Sequence, residues 1–210
     1  MAQCKNNSAT IGILTLQFVN GAQFGFILVL SAMLGLPSLQ INFTQAFPNA
    51  DINGDVYIAI LQGWYYDQPT DRLIQHEDPT YRDHQYCMKL LKNLYGTKQA
   101  ARNWYLCLSE VLQEKHGFKP SAIDPCIFIR DDCIIALYPD DCCIFGRNPD
   151  VIADIKAALA EDFLLRDEAT IEDFLGVRLA FATNPASPNG PKLMSMTQTG
   201  LIDSILDDVG

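Results

Sequence analysis

Four consecutive residues, Tyr138-Pro139-Asp140-Asp141, carry the densest chemical signal in this sequence. Two adjacent carboxylates between apolar runs repel each other unless a positive group lies beside or between them. A divalent cation answers that need. Hard oxygen donors suit Mg2+, which keeps waters and substrate phosphates as its other ligands. The same pair also reads as a solvated turn, as Asp131-Asp132 does a few residues earlier. A second group is basic: between Asp83 and Glu110 lie Lys89, Lys92, Lys98 and Arg102 with no acid among them. Phosphates would sit well there, and so would a plain solvated helix start.

The elements around these residues follow from pattern and punctuation. Residues 126–130, 133–138 and 142–146 are short apolar runs separated by two acidic turns, which predicts an antiparallel meander. Asp140-Asp141 then falls at a hairpin tip. Upstream, 39–43 reads as a strand entering a turn at Pro48-Asn49, and 55–60 as a second strand. Residues 67–84 are polar with two prolines and read as a loop. A helix is expected over 100–116, with Trp104, Leu108, Val111 and Leu112 on one face and Gly117 as its cap. Another should start at Asn148-Pro149 and run to about Phe163. Residues 185–191 read as a loop and 199–209 as a final helix, so the fold class expected is α+β.

Composition narrows the options. The chain has 210 residues, 49% hydrophobic and 19% charged, which excludes a disordered tail and a coiled coil. A net charge of −10 counts against a protein that coats nucleic acid with a basic surface. Seven cysteines form no C-x-x-C pair and suit no closed disulfide framework, so reduced thiols in an intracellular protein, cytoplasmic or nuclear, are expected. No charged residue occurs over 6–50. A membrane span needs about 20 apolar residues, and Asn20, Gly21 and Gln23 interrupt the run. A buried helix over 23–34, ended by Gly35 and Pro37, explains it without stable membrane association.

Longer strings add a family resemblance. Leu94-Tyr95-Gly96-Thr97-Lys98-Gln99-Ala100-Ala101-Arg102-Asn103-Trp104-Tyr105 is one. Gln40-Ile41-Asn42-Phe43-Thr44-Gln45-Ala46-Phe47 lies upstream, and Phe174-Leu175-Gly176-Val177 downstream. In this order, with Tyr138 to Asp141 between them, they resemble the reverse transcriptase of copia-type LTR retrotransposons over about residues 28–206. The resemblance implies a polymerase palm, an antiparallel sheet backed by helices, occupying 28–210 after a divergent segment 1–27. It implies RNA-directed DNA polymerase (nucleotidyltransferase) activity on a template-primer and deoxynucleoside triphosphates. It also implies two Mg2+ ions held by carboxylates. Asp140 and Asp141 match the paired ligands, Phe47 the aromatic gate that excludes a ribose 2′-OH, and Lys98, Gln99 and Arg102 the segment that contacts nucleotide and template.

Several positions depart from the family pattern. Asn42 stands where a third metal-binding Asp is expected, which removes one negative charge and one oxygen donor. Pro139 replaces a small or branched apolar residue, and Ala101 a proline. No Lys or Arg lies between Lys5 and Arg72, where basic fingers strands are expected, and the match stops short of thumb and RNase H. Fingers and thumb are therefore expected to be incomplete. The implied activity is an impaired one, with Asn42 at the degenerate position. Two other readings use the same chain: a non-catalytic palm remnant, or pseudoenzyme, that binds nucleic acid weakly, and a membrane or interaction protein that uses the uncharged 6–50 stretch.

Overall fold

The structure, a computed structural model, describes residues 2–3, 19, 21–168, 173–174, 177–182 and 193–209. Along the chain, β1 (Ala2–Gln3) is followed by α1 (Gly21–Leu34), β2 (Ser38–Phe43), α2 (Ala46–Asn49) and β3 (Tyr57–Ala59). Next come β4 (Trp64–Asp67), β5 (Arg72–Gln75), β6 (Tyr86–Lys89) and α3 (Ala100–Glu110), which continues as a π-helical turn over Val111–Lys115. Then follow β7 (Lys119–Pro120), β8 (Ile127–Arg130), β9 (Cys133–Tyr138), β10 (Asp141–Gly146) and α4 (Pro149–Asp162). The last are β11 (Leu165–Glu168), β12 (Asp173–Phe174), β13 (Val177–Ala182), β14 (Leu193–Thr197) and α5 (Thr199–Val209). Every strand pair among the described residues is antiparallel, and helices alternate with the sheets, so the class is α+β.

The chain forms two compact units, Met1–Thr15 with Phe47–Asn103, and Leu16–Ala46 with Trp104–Gly210. The larger unit is built on a six-stranded sheet in the order β11-β2-β10-β9-β8-β7. Its central strand β10 is buried from Cys142 to Gly146, so both faces are covered there. On one face Phe43 meets Trp104 and Phe163 edge-on, at 5.2 and 5.5 Å between ring centroids, and α4 packs on β10 and β2. A side chain at Gly146 would start 2.7 Å from Ile152 of α4, so the close approach of helix to strand requires glycine. Across the other face, Phe24 of α1 reaches Phe145 at 6.4 Å. Asn148 caps α4 by accepting from the Val151 N–H at 3.0 Å, as its sequence predicts.

The smaller unit has little apolar core. Ala50, Ile60, Cys87 and Ala100 are its buried apolar residues among those described, and polar side chains do much of the fastening. It holds the sheet β1-β6-β3 and the hairpin β4-β5. The buried Asp83 accepts from the backbone N–H groups of Tyr66, Gln85 and Tyr86 at 3.0, 2.8 and 3.2 Å.

Several expectations are corrected. Residues 67–84 are not all loop: they carry the second strand of a hairpin, closed by Asp71 at φ 51°. The polar composition masked it, because this strand pairs with one neighbour only and Leu73 and Ile74 are half-buried. The expected turn at Pro48-Asn49 is the short helix α2, and the strand over 55–60 shortens to β3. The helix over 100–116 gives way to a π turn after Glu110, before Gly117 ends it at φ +70°. The helix over 23–34 is half-buried rather than buried: Phe24, Ile27, Leu28 and Ser31 face inward, while Phe26, Val29, Met33 and Leu34 are exposed. The expected loop 185–191 lies outside the described residues, as do Leu175 and Gly176. Among the described residues, no helix is long and apolar enough to cross a membrane.

Candidate active site

The hairpin that carries the paired carboxylates is held from two sides. Tyr138 and Asp141 pair across β9 and β10, leaving Pro139 and Asp140 as a two-residue turn. Neither turn residue has positive φ, and proline at the first position fits a turn of that kind without needing its missing N–H. The Pro139 carbonyl accepts from the Trp104 indole Nε1–H at 2.7 Å. The Asp140 carbonyl accepts from the Phe43 N–H, also at 2.7 Å. Both turn carbonyls are thus fixed by groups from the apolar core, which limits how far the half-buried Asp140 can move.

Register brings the remaining members together. Asp141 lies directly opposite Asn42 across β10 and β2, so the two side chains share a face. Asn42 Nδ2 donates to Asp141 Oδ1 at 2.9 Å. On the other side of β2, Arg166 of β11 lies opposite Asn42 and is exposed. One row across the sheet therefore reads Arg166, Asn42, Asp141, Tyr138. The adjacent Cys142 is wholly buried, and burial, followed by the charges of Cys133 and Asp141, pushes its thiol well above the ordinary range. It stays a protonated, inert group there.

This donor set does not fit two divalent ions. Two carboxylates remain where three are expected, and an oxygen of one already accepts an amide proton. No group of three His, Cys, Asp or Glu side chains able to hold a metal occurs among the described residues.

In the smaller unit the other candidate residues lie along one segment. Phe47 packs against Tyr95, with ring centroids 4.4 Å apart and planes at 36°. Lys98, Gln99 and Arg102 lie just before and within the first turn of α3. The basic island is half neutralised by the fold: Lys89 pairs with Asp55 and Lys92 with Asp51, each at 2.5 Å. Lys98 and Arg102 are exposed and make no salt bridge among the described residues. Residues 47–103 carry six basic and seven acidic side chains, against nine and eighteen in the rest of the chain. The acidic excess therefore lies almost wholly outside the smaller unit.

A family model described as reverse transcriptase (RNA-dependent DNA polymerase) matches residues 22–209. The chain belongs to this reverse transcriptase family. The resemblance to copia-type elements drawn from the motifs is borne out by its relatives. The Pol polyprotein of tobacco (Nicotiana tabacum) transposon TNT 1-94 is 28% identical over 158 residues, 73% of this chain and 11% of that protein. The Pol polyprotein of Arabidopsis thaliana transposon RE1 is 34% identical over 145 residues, covering 67% of this chain and 9% of the relative. The Gag-Pol polyprotein of Saccharomyces cerevisiae transposon Ty1-GR3 is 24% identical over 189 residues, covering 77% and 10%. The chain spans about a tenth of the length of the curated relatives it matches. No solved structure matches it.

Some residues of this reverse transcriptase chain escape a sequence reading. Arg166 carries no motif, and only the pairing of β11 with β2 puts it beside Asn42. Trp104 reads as one more apolar helix position, and its indole N–H gains a role only from the hairpin it reaches. Tyr95 lies within the Leu94 to Tyr105 string, but its ring contact with Phe47 joins residues 48 positions apart.

Proposed function

We propose that this chain is the palm of a copia-type reverse transcriptase, drawn over residues 28–210, whose template-directed DNA synthesis is impaired at Asn42. The observation that carries this reading is the Asn42 to Asp141 hydrogen bond. Strand register sets the Asn42 amide directly opposite Asp141, which it engages, and the family resemblance expects a carboxylate at that position. The family's chemistry calls for Mg2+, but this donor set does not fit the two-ion arrangement, so no catalytic step is derived through it. What the chain's own residues retain is positioning. Asp140 and Asp141 stay on a fixed hairpin, Phe47 provides an aromatic wall for a sugar, and Lys98, Gln99 and Arg102 offer donors and positive charge to phosphates. Template-primer and deoxynucleotide binding is accordingly assigned to Phe47, Lys98, Gln99 and Arg102 of the smaller unit.

The test is primer extension on an RNA template with Mg2+, comparing the chain as given with Asn42→Asp. We expect extension by the variant and, from the given chain, a rate lower by about a hundredfold or more, the scale of losing one main electrostatic group. Equal extension by both would overturn the reading of Asn42. Silence from both would overturn the reading of this chain as a polymerase impaired at Asn42.

A further inference from the structure

Two buried amides, Asn93 and Asn103, are joined by a hydrogen bond in the smaller unit, and the reading above gives them no part. Asn93, only 1% exposed, donates both protons of Nδ2 to backbone carbonyls, Ala50 O at 2.9 Å and Asp51 O at 3.0 Å. Its own Oδ1 accepts from Asn103 Nδ2 at 3.0 Å, and Asn103 Oδ1 accepts from Asn53 Nδ2 at 3.4 Å. Every hydrogen-bonding position of the Asn93 amide except a second lone pair is thus used. A buried side chain so fully engaged has one geometry, because any rotation leaves several polar groups unmet.

The two ends of this network are the two halves of the proposed nucleotide site. One end is the exit of α2: Ala50 N–H donates to Phe47 O at 3.1 Å, so fixing Ala50 and Asp51 also fixes the turn that bears Phe47. The other end is Asn103, on the first turns of α3 and one residue from Arg102. Between Asn93 and α3 the chain makes a tight turn at Gly96 (φ +89°), held by Thr97 donating to Leu94 O through both N–H and Oγ1. That turn sets Tyr95 against Phe47. An antiparallel bridge and an ion pair between Asp51 and Lys92 add a further tie outside the network.

Resting on the palm reading, we propose that Asn93 and Asn103 are positioning residues for sugar selection. They lock the Phe47 wall, through Tyr95, at a fixed distance from the Lys98 to Arg102 segment, so that a nucleoside triphosphate held by its phosphates meets the ring at its 2′ carbon. A deoxyribose fits, and a ribose hydroxyl collides. A wall free to shift by an ångström loses that discrimination while still admitting the deoxynucleotide.

The experiment is single-nucleotide extension of an RNA-templated primer by the full chain carrying Asn42→Asp, with dATP and with ATP. Asn93→Ala and Tyr95→Leu are each added in turn. We expect the ratio of kcat/KM for dATP over ATP to fall by about tenfold or more in each, mainly through a gain with ATP. The dATP kcat should stay near its starting value. A role confined to stability would lower both nucleotides together and leave the ratio where it was, and that result overturns the proposal. Tyr95 is 48% exposed, so its replacement keeps the test decisive if Asn93→Ala does not fold. Absence of extension with either nucleotide by the Asn42→Asp chain itself would instead overturn the polymerase reading, and the proposal with it.

Discussion

Replacing Asn42 by Asp tests the site's geometry without any catalytic assay. In the present chain the amide of Asn42 donates to Asp141 Oδ1 at 2.9 Å. Asn42→Asp turns that donor into an acceptor and sets two carboxylates directly opposite each other across β2 and β10. Their charge centres would lie roughly 4 Å apart, where the repulsion is about 4 kcal/mol at an effective dielectric of about 20. Side-chain rotation and water lower the effective cost to about 2–3 kcal/mol, and in a chain of this size each kcal/mol moves Tm by about 2–4 °C. The variant should therefore melt about 4–12 °C below the parent in EDTA near neutral pH.

Two titrations then separate electrostatics from loss of packing. A carboxylate pair of this kind takes up a proton more readily when folded than when unfolded, so the variant's deficit should shrink as pH falls from neutral toward about 5. Mg2+ should also restore the variant, by about 2.7 kcal/mol at a hundred times its Kd. The parent, with one oxygen of Asp141 engaged by an amide, should respond much less. Circular dichroism melts in EDTA and across a Mg2+ series read all of this. If the variant is as stable as the parent in EDTA, or Mg2+ raises both equally, the juxtaposition of positions 42 and 141 is not what governs this site.

Three further outcomes follow from single contacts. Trp104→Phe leaves the Pro139 carbonyl without its indole donor and should cost about 1–3 kcal/mol in urea unfolding. Burial raises the Asp83 pKa, but three backbone N–H groups and the charge of His84 outweigh it, so the net shift is downward. Its stabilising contribution should be complete above the ordinary aspartate range (about 3.9) and be lost as pH falls through the lowered value. Asp83→Asn should therefore reduce stability at neutral pH and flatten its acid dependence. Finally, Lys98→Ala or Arg102→Ala should each reduce the slope of log affinity for a primer-template against log salt by about 0.7–0.9, read by fluorescence anisotropy. Lys89→Ala and Lys92→Ala should do less, because Asp55 and Asp51 already hold those ammonium groups.

Local signals were legible where short-range physics dominates. The alternation of apolar runs and acidic turns from Cys126 to Gly146 marked three strands, and three strands form there, because each turn lies between residues that pair across it. Asn148 and Pro149 marked the start of α4, since a cap is satisfied within one helical turn. The motifs around Asn42, Tyr95 and Asp141 carry the family's signature in local residue order alone. The hairpin inside 67–84 was not legible, because a strand pairing on one edge needs no apolar run. Tertiary structure alone decided the rest. That Asn42 meets Asp141 is a matter of register between strands 99 residues apart, and slipping β2 by one residue would turn Asn42 to the opposite face. That Lys89 and Lys92 are neutralised, and that Asn93 braces the turn after Phe47, depends on partners 34 to 43 positions away. Residue types fixed what chemistry was open to this chain. Register and long-range hydrogen bonds decided which side chains meet, because those contacts form only when distant segments within each unit close on one another.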